Sequence, residues 1–209
     1  MKSCPPPAQG GPPGFSTKRL FCLCLTMWFA ATSISATRLE LVEGNPASPV
    51  KVVIYEDLAS SDCARLRAML DEKLLPKYGK RVAFVHRDFP LPRHEWARAA
   101  ALAGRWVYEQ SSALGVVFRL ELLAQQDHIT AASLPNWLRE FARRNKLNEE
   151  GITLAPSDPR LIAQVDSDRQ GGTARGVASV PSVYLGTQVF IGNIQVEDLT
   201  RAIDVALER

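Results

Sequence analysis

Apolar positions along the chain change period several times, and each change marks an element. Lys51–Asp57 (KVVIYED) is a β-branched and aromatic run that predicts a strand. Leu58–Asp62 reads as a turn, and Ser60 or Ser61 can cap a helix that starts near Cys63 and keeps Leu66, Met69, Leu70 and Leu74 on one face. Lys77–Lys80, around Gly79, ends that helix. Arg81–Phe89 (RVAFVHRDF) alternates as a second strand, which Pro90 and Pro92 stop. A strand, a helical crossover and a strand predict a parallel pair. From His94 to about Gln126 the chain is rich in alanine and leucine and reads as one or two helices, with Ser111 and Ser112 as the break. Ser133–Arg144 predicts a helix capped by Ser133, with Pro135 in its first turn and Leu134, Trp137, Leu138 and Phe141 on one face. Pro159–Ala174 predicts another. Ser182–Leu185 and Gln188–Ile191 flank Gly186-Thr187 as a hairpin, and Val196–Leu207 closes the chain as an amphipathic helix. The order is β-α-β, a block of helices, then β-β-α, an α/β chain with no visible repeat.

The N-terminus follows other rules. Residues 3–14 carry five prolines and three glycines, which excludes helix and packed strand. Lys18 and Arg19 then precede an apolar run from Leu20 to about Ala31, and small residues reach Ser35 and Ala36. This is the order of a secretory signal, with cleavage after Ser35 or Ala36, and an uncleaved membrane anchor over 20–36 is the alternative. The domain reading is therefore a leader at 1–36, a linker at 37–50 and one domain at 51–209, with a helical insertion at about 94–175. Export, to a periplasmic or other extracytoplasmic space, follows from either form of the leader.

Composition changes this picture in two places. The 209 residues are 46% hydrophobic and 22% charged, ordinary for one globular domain. The net charge of +3 comes entirely from Lys2, Lys18 and Arg19, so the remainder is neutral and gives no reason to expect nucleic acid or a membrane surface as a partner of the folded body. Of four cysteines, Cys4, Cys22 and Cys24 lie in the leader and Cys63 stands alone beyond it, so the body has no disulfide framework.

Three stretches resemble the DsbA-like branch of the thioredoxin superfamily: YEDLASSDCARL (55–66), HRDFPLPRHEWARAAALA (86–103) and GVASVPSVYLGTQVFIG (176–192). The resemblance implies a thioredoxin fold, β-α-β … β-β-α, with an inserted helical subdomain. It also implies a thiol–disulfide oxidoreductase ancestry, whose C-x-x-C would open the first helix. Here the motif reads Ser60-Ser61-Asp62-Cys63. The family's first cysteine is an exposed thiolate at the helix N-terminus, and a serine hydroxyl does not replace it as a nucleophile in disulfide exchange.

The resemblance makes Cys63 the resolving position. Two readings follow: a small core residue, or a single reactive thiol that forms a mixed disulfide or a sulfenic acid, with Asp62 opposing its thiolate. Val180-Pro181 matches the family's cis step, whose free backbone edge would take an extended peptide, a protein client or glutathione. Glu56 and Asp57 match acidic residues near the buried cysteine, and solvation at a strand end is the alternative. His86 is expected as a strand residue, His94 in a structural hydrogen bond and His128 in solvent, with no metal site and no cofactor. Arg139, Arg143 and Arg144 read as a solvated helix face. The expected function is an exported DsbA-like protein without dithiol oxidase activity. The alternatives are a redox-silent client-binding module and a glutathione-transferase-like protein in which Ser60 would hydrogen-bond the glutathione thiolate.

Overall fold

The computed structural model describes residues 40–208 together with Gly10, so the leader expected at 1–36 lies outside the described residues. Thr37–Arg209 forms a compact unit of its own. Its centre is β2 (Lys51–Glu56), which lies parallel to β3 (Ala83–Asp88) and antiparallel to β4 (Ser182–Leu185). β5 (Gln188–Ile191) completes the hairpin at one edge. The other edge is β1 (Leu41–Gly44), antiparallel to β3, which gives the strand order β1-β3-β2-β4-β5.

β1 corrects the linker reading of 37–50. Four residues are too few to show a period of two, and the strand is recognisable only through its pairing of Leu41 with His86. It ends at Gly44, where φ is +83° and a Cβ would sit 2.4 Å from the Val82 carbonyl oxygen, so only glycine fits.

Alternation along β2 sorts the core. Val52 and Ile54 point to one face, with Phe84 and Val183, and pack on Leu66, Leu70, Leu74 and Tyr78 and on Leu199 and Ile203. The helix expected from Cys63 to Gly79 has three parts: α1 (Ser61–Met69), a π-helical turn (Leu70–Leu74) and α2 (Leu75–Tyr78). Leu75 N–H reaches back to Leu70 O, and Pro76 follows with no N–H to place, so the widened turn is where the ladder loses least. α8 (Val196–Leu207) supplies Leu199 and Ile203.

The opposite face carries Tyr55 and Tyr184 and is covered by the insertion: α3 (Ala97–Gln110), α4 (Ser112–Gln125), α5 (Leu134–Arg144), α6 (Glu149–Leu154) and α7 (Pro159–Ala174). The α3–α4 break falls at Ser111, whose hydroxyl accepts from Leu114 N–H. Ser133 does not cap α5 with its side chain. It forms a reciprocal box with Thr130 instead, each hydroxyl accepting the other's amide at 2.9 and 3.1 Å. The short α6, capped by Asn148, is not marked by any apolar period. Arg143 and Arg144, expected to be solvated, pair with Glu149 and Glu121 at the surface.

A chain of alternating charges fastens these parts together. On one side Glu43 of β1 meets Arg67 of α1, which also holds Asp71. Glu43 lies 2.9 Å from Nε2 of His86, and Nδ1 of His86 lies 2.6 Å from Glu56. Glu56 and Asp88 both bind Arg119 of α4, at 2.7 and 2.9 Å, and Asp88 binds Arg105 of α3 at 2.6 Å. Arg105 pairs with Asp168 of α7, and Asp168 and Glu40 share Arg87. Every second member has the opposite sign, and the middle of the chain is buried. Removing one partner would strand a charge in a low-dielectric interior, at roughly 3–5 kcal/mol.

The pH dependence follows from the two ends of this chain. Burial works against the His86 imidazolium, but Glu56 and Glu43 outweigh it and raise its pKa above 6.5. Its stabilising contribution is complete below that value and is lost as pH rises through the folded-state pKa. Burial also works against the Glu43 carboxylate, which His86 and Arg67 nevertheless hold down at about 2 rather than 4.5, so its contribution is lost as pH falls. The melting temperature of residues 37–209 is expected to peak between these limits and to fall by roughly 2–4 °C at pH 8, on the scale of 1 kcal/mol for a chain this size. His86→Gln is expected to melt lower but with no decline above pH 6.5, measured by thermal scans at constant ionic strength.

Candidate active site

The β2–α1 turn is built on one carboxylate. Asp57, buried at the end of β2, accepts from Ala59 N–H and Leu91 N–H, each at 2.7 Å, and pairs with Nδ1 of His94 at 2.8 Å. Asp57 is thus not solvated at a strand end: it anchors the turn, and its charge also bears on Cys63. It ties the turn to the strand that enters the insertion. His94 takes the structural hydrogen bond expected of it, and His128 is exposed.

Ser60 occupies the N-cap of α1, and its carbonyl accepts from Ala64 N–H. Its hydroxyl makes no cap bond, and Ser61 opens the helix without acting as its cap. Ser60 is also not the exposed corner that the motif implies: only 7% of its surface is accessible. The hydroxyl favours the thiolate of Cys63 instead. Cys63 is fully buried, and its sulfur accepts from Asp57 N–H at 3.4 Å.

Burial pushes the Cys63 thiol up to about 12, and the charges of Glu56 and Asp57 add to it. The Asp57 amide and the Ser60 hydroxyl pull the other way without compensating. Asp62, expected to be the opposing carboxylate, points outward and pairs with Arg65. Glu56 is itself held ionised: burial would raise its pKa, but Arg119 and His86 drive it far below the ordinary carboxylate range. A carboxylate fixed in this way is a poor acceptor for a thiol proton.

The Val180–Pro181 bond is cis. Ser182 pairs with Tyr55, so this step lies at the end of the sheet where β2 enters the turn. Val180 shares a hydrophobic cluster with Cys63, Leu58 and Ala59. Pro181 O accepts from Gly192 N–H at 2.9 Å, and Ser182 Oγ donates to Ser179 O. Among the described residues, neither the amide nor the carbonyl of Val180 has a hydrogen-bond partner. A cleft of about 420 Å³ opens between α1 and residues 192–197; it borders this loop only through Gly192, and neither Val180, Pro181, Ser60 nor Cys63 lines it. Leu66, Met69, Ile194 and Val196 line it with Asp62, Arg65, Glu72 and Lys73.

A family model for thioredoxin matches residues 37–205. The chain belongs to the thioredoxin family. Its fold is shared with a thioredoxin-like oxidoreductase from Silicibacter pomeroyi (TM-score 0.69, 23% identity, 81% of this chain and 93% of that one). BdbD from Bacillus subtilis is similar at 0.68, with 20% identity over 81% and 94% of the two chains. So is alpha-DsbA1 from Wolbachia pipientis, at 0.69 with 16% identity over 81% and 91%. These are DsbA-like structures, so the thioredoxin fold with a helical insertion is the architecture of this thioredoxin-family chain. Among curated proteins, a Na(+)/H(+) antiporter NhaA 1 from Mycobacterium is 24% identical over 166 residues. That stretch covers 78% of this chain but 26% of the antiporter, so the chain spans about a quarter of the relative's length.

The charged residues beneath the turn leave little trace in the sequence. Arg105 and Arg119 each interrupt a largely apolar helical stretch, and that contrast was the signal the sequence offered. Two outcomes are expected here. Asp57→Ala leaves the Ala59 and Leu91 amides and His94 without an acceptor, and should cost roughly 2–5 kcal/mol in urea unfolding. Cys63 in folded 37–209 should resist iodoacetamide at pH 8 and react fully in urea, as read by mass spectrometry.

Proposed function

We propose that this chain is an exported thioredoxin-family protein that binds extended clients and does not carry out dithiol–disulfide exchange. The observation that carries this reading is the pairing of Ser60 with a buried Cys63 whose thiol is pushed up to about 12. Exchange needs a thiolate that attacks a disulfide sulfur and a second thiol that resolves the mixed disulfide. Position 60 supplies oxygen, and position 63 supplies a protonated, inaccessible sulfur. The recognition elements do not depend on either group.

An extended client would have to uncover Val180, which is 5% accessible, to pair with its amide and carbonyl, and would run from there past Gly192 towards the cleft. The cleft's apolar floor and mixed-charge rim favour peptides that alternate apolar and charged residues over purely apolar ones. The leader at 1–36 would carry the domain out of the cytoplasm, cleaved or as an anchor. A glutathione-transferase activity is not favoured, because Ser60 is buried and its hydroxyl serves Cys63.

The test uses purified 37–209. It is expected to leave the oxidative refolding of a reduced protein at the uncatalysed rate, and acceleration like that of a C-x-x-C relative would refute the reading. Binding to an array of extended peptides is expected to survive Cys63→Ala. Arg65→Glu, on the cleft rim, is expected to change affinity for charged peptides by about fivefold, equivalent to roughly 1 kcal/mol. Ser60→Cys is expected to raise exchange activity above that of the wild type.

A further inference from the structure

The two edges of the sheet are finished differently. On β1 the acid Glu40 precedes the strand and Glu43 lies within it, turned inward to Arg67 and His86, and the amide of Val42 is taken by the Tyr108 hydroxyl at 3.3 Å. Charges and an occupied backbone are how natural sheets keep an edge from pairing with another chain. β5 has neither. Gln188–Ile191 contains no charge, no proline and no bulge, and among the described residues nothing hydrogen-bonds to its outer backbone groups. Of the four large apolar side chains exposed among the described residues, Val189 and Ile191 are on β5 and Val205 is on the face of α8 beside it. The α8 rim adds Asp198 and Arg201, one charge of each sign, so no net charge holds a second copy away.

We propose that β5 is where two copies of this chain join, strand against antiparallel strand, about a two-fold axis normal to the sheet. Such an axis returns each face to itself, so paired residues must be an even number apart. With Phe190 on the axis, Val189 lies opposite Ile191 of the partner subunit, and each covers the other's exposed side chain. Both copies then share one ten-stranded sheet. An isolated extended peptide could also add to this edge, but the neutral strand and balanced rim make a second copy self-complementary without further design. A four-residue strand and one helix rim bury little area, which places the dimer among weak, concentration-dependent ones.

The proposal is independent of the client reading, and its test does not use the Val180 edge. Light scattering and sedimentation of 37–209 from about 1 to about 200 µM, the range of weak association, should show mass rising from one copy towards two. Amides of Gln188–Ile191 should exchange more slowly at the high end. Val189→Lys and Ile191→Lys, both at exposed positions, should each keep the monomer's spectrum and melting behaviour and weaken the dimer at least about tenfold, a loss of about 1.4 kcal/mol. Leu154→Lys, an exposed apolar residue on α6, should leave the dimer unchanged. A monomer throughout the range, a dimer indifferent to both β5 lysines, growth beyond two copies, or β5 protection only by an added peptide would each overturn the proposal.

Discussion

The structure depends on keeping a line of buried charges paired. From Glu43 through His86, Glu56, Arg119, Asp88 and Arg105 to Asp168, each group lies against neighbours of opposite sign. The line crosses from the edge strand to the central strands and out to three helices of the insertion. Buried ion pairs in general add little over a well-packed apolar interior. What the line does is make the arrangement unforgiving: a shift of β1, α1, α3, α4 or α7 separates a pair that water cannot rescue. The insertion is thus fastened to the sheet by geometry as well as by its apolar core of Phe118, Trp137 and Phe141.

The same line reaches the candidate site through Glu56. A carboxylate committed to Arg119 and His86 places a fixed negative charge near Cys63 and takes up no proton. Burial alone would quiet the thiol, and the fixed charge reinforces it. Thioredoxin-family exchange chemistry therefore meets two obstacles here. One is the oxygen at position 60, and the other is an environment at 63 that favours the thiol over the thiolate.

In the proposed reading, client recognition does not depend on either of these groups. The Val180 backbone, the cleft between α1 and residues 192–197, and the cis peptide bond belong to the loop side of the site. None of them needs sulfur. The sheet edge at β5 is separate again, since its features are an outer edge without a partner among the described residues and exposed aliphatic side chains.

The sequence by itself determined the strand–helix–strand start, the Ser111 break, the hairpin around Gly186-Thr187 and the closing helix. These rest on periods and turn residues that act over a few positions. It also determined that oxygen stands at 60 and sulfur at 63, which needs no coordinates. Tertiary structure alone decided that Leu41–Gly44 is a strand, because its partner lies more than forty residues away and four residues carry no period. It alone turned Asp57 from a strand-end acid into the anchor of the turn, and it placed Arg105 and Arg119 under Glu56 and Asp88. The reason is physical: apolar burial leaves a repeating mark along the chain, whereas a buried ion pair is a relation between distant residues, and neither member shows which partner the fold will bring to it.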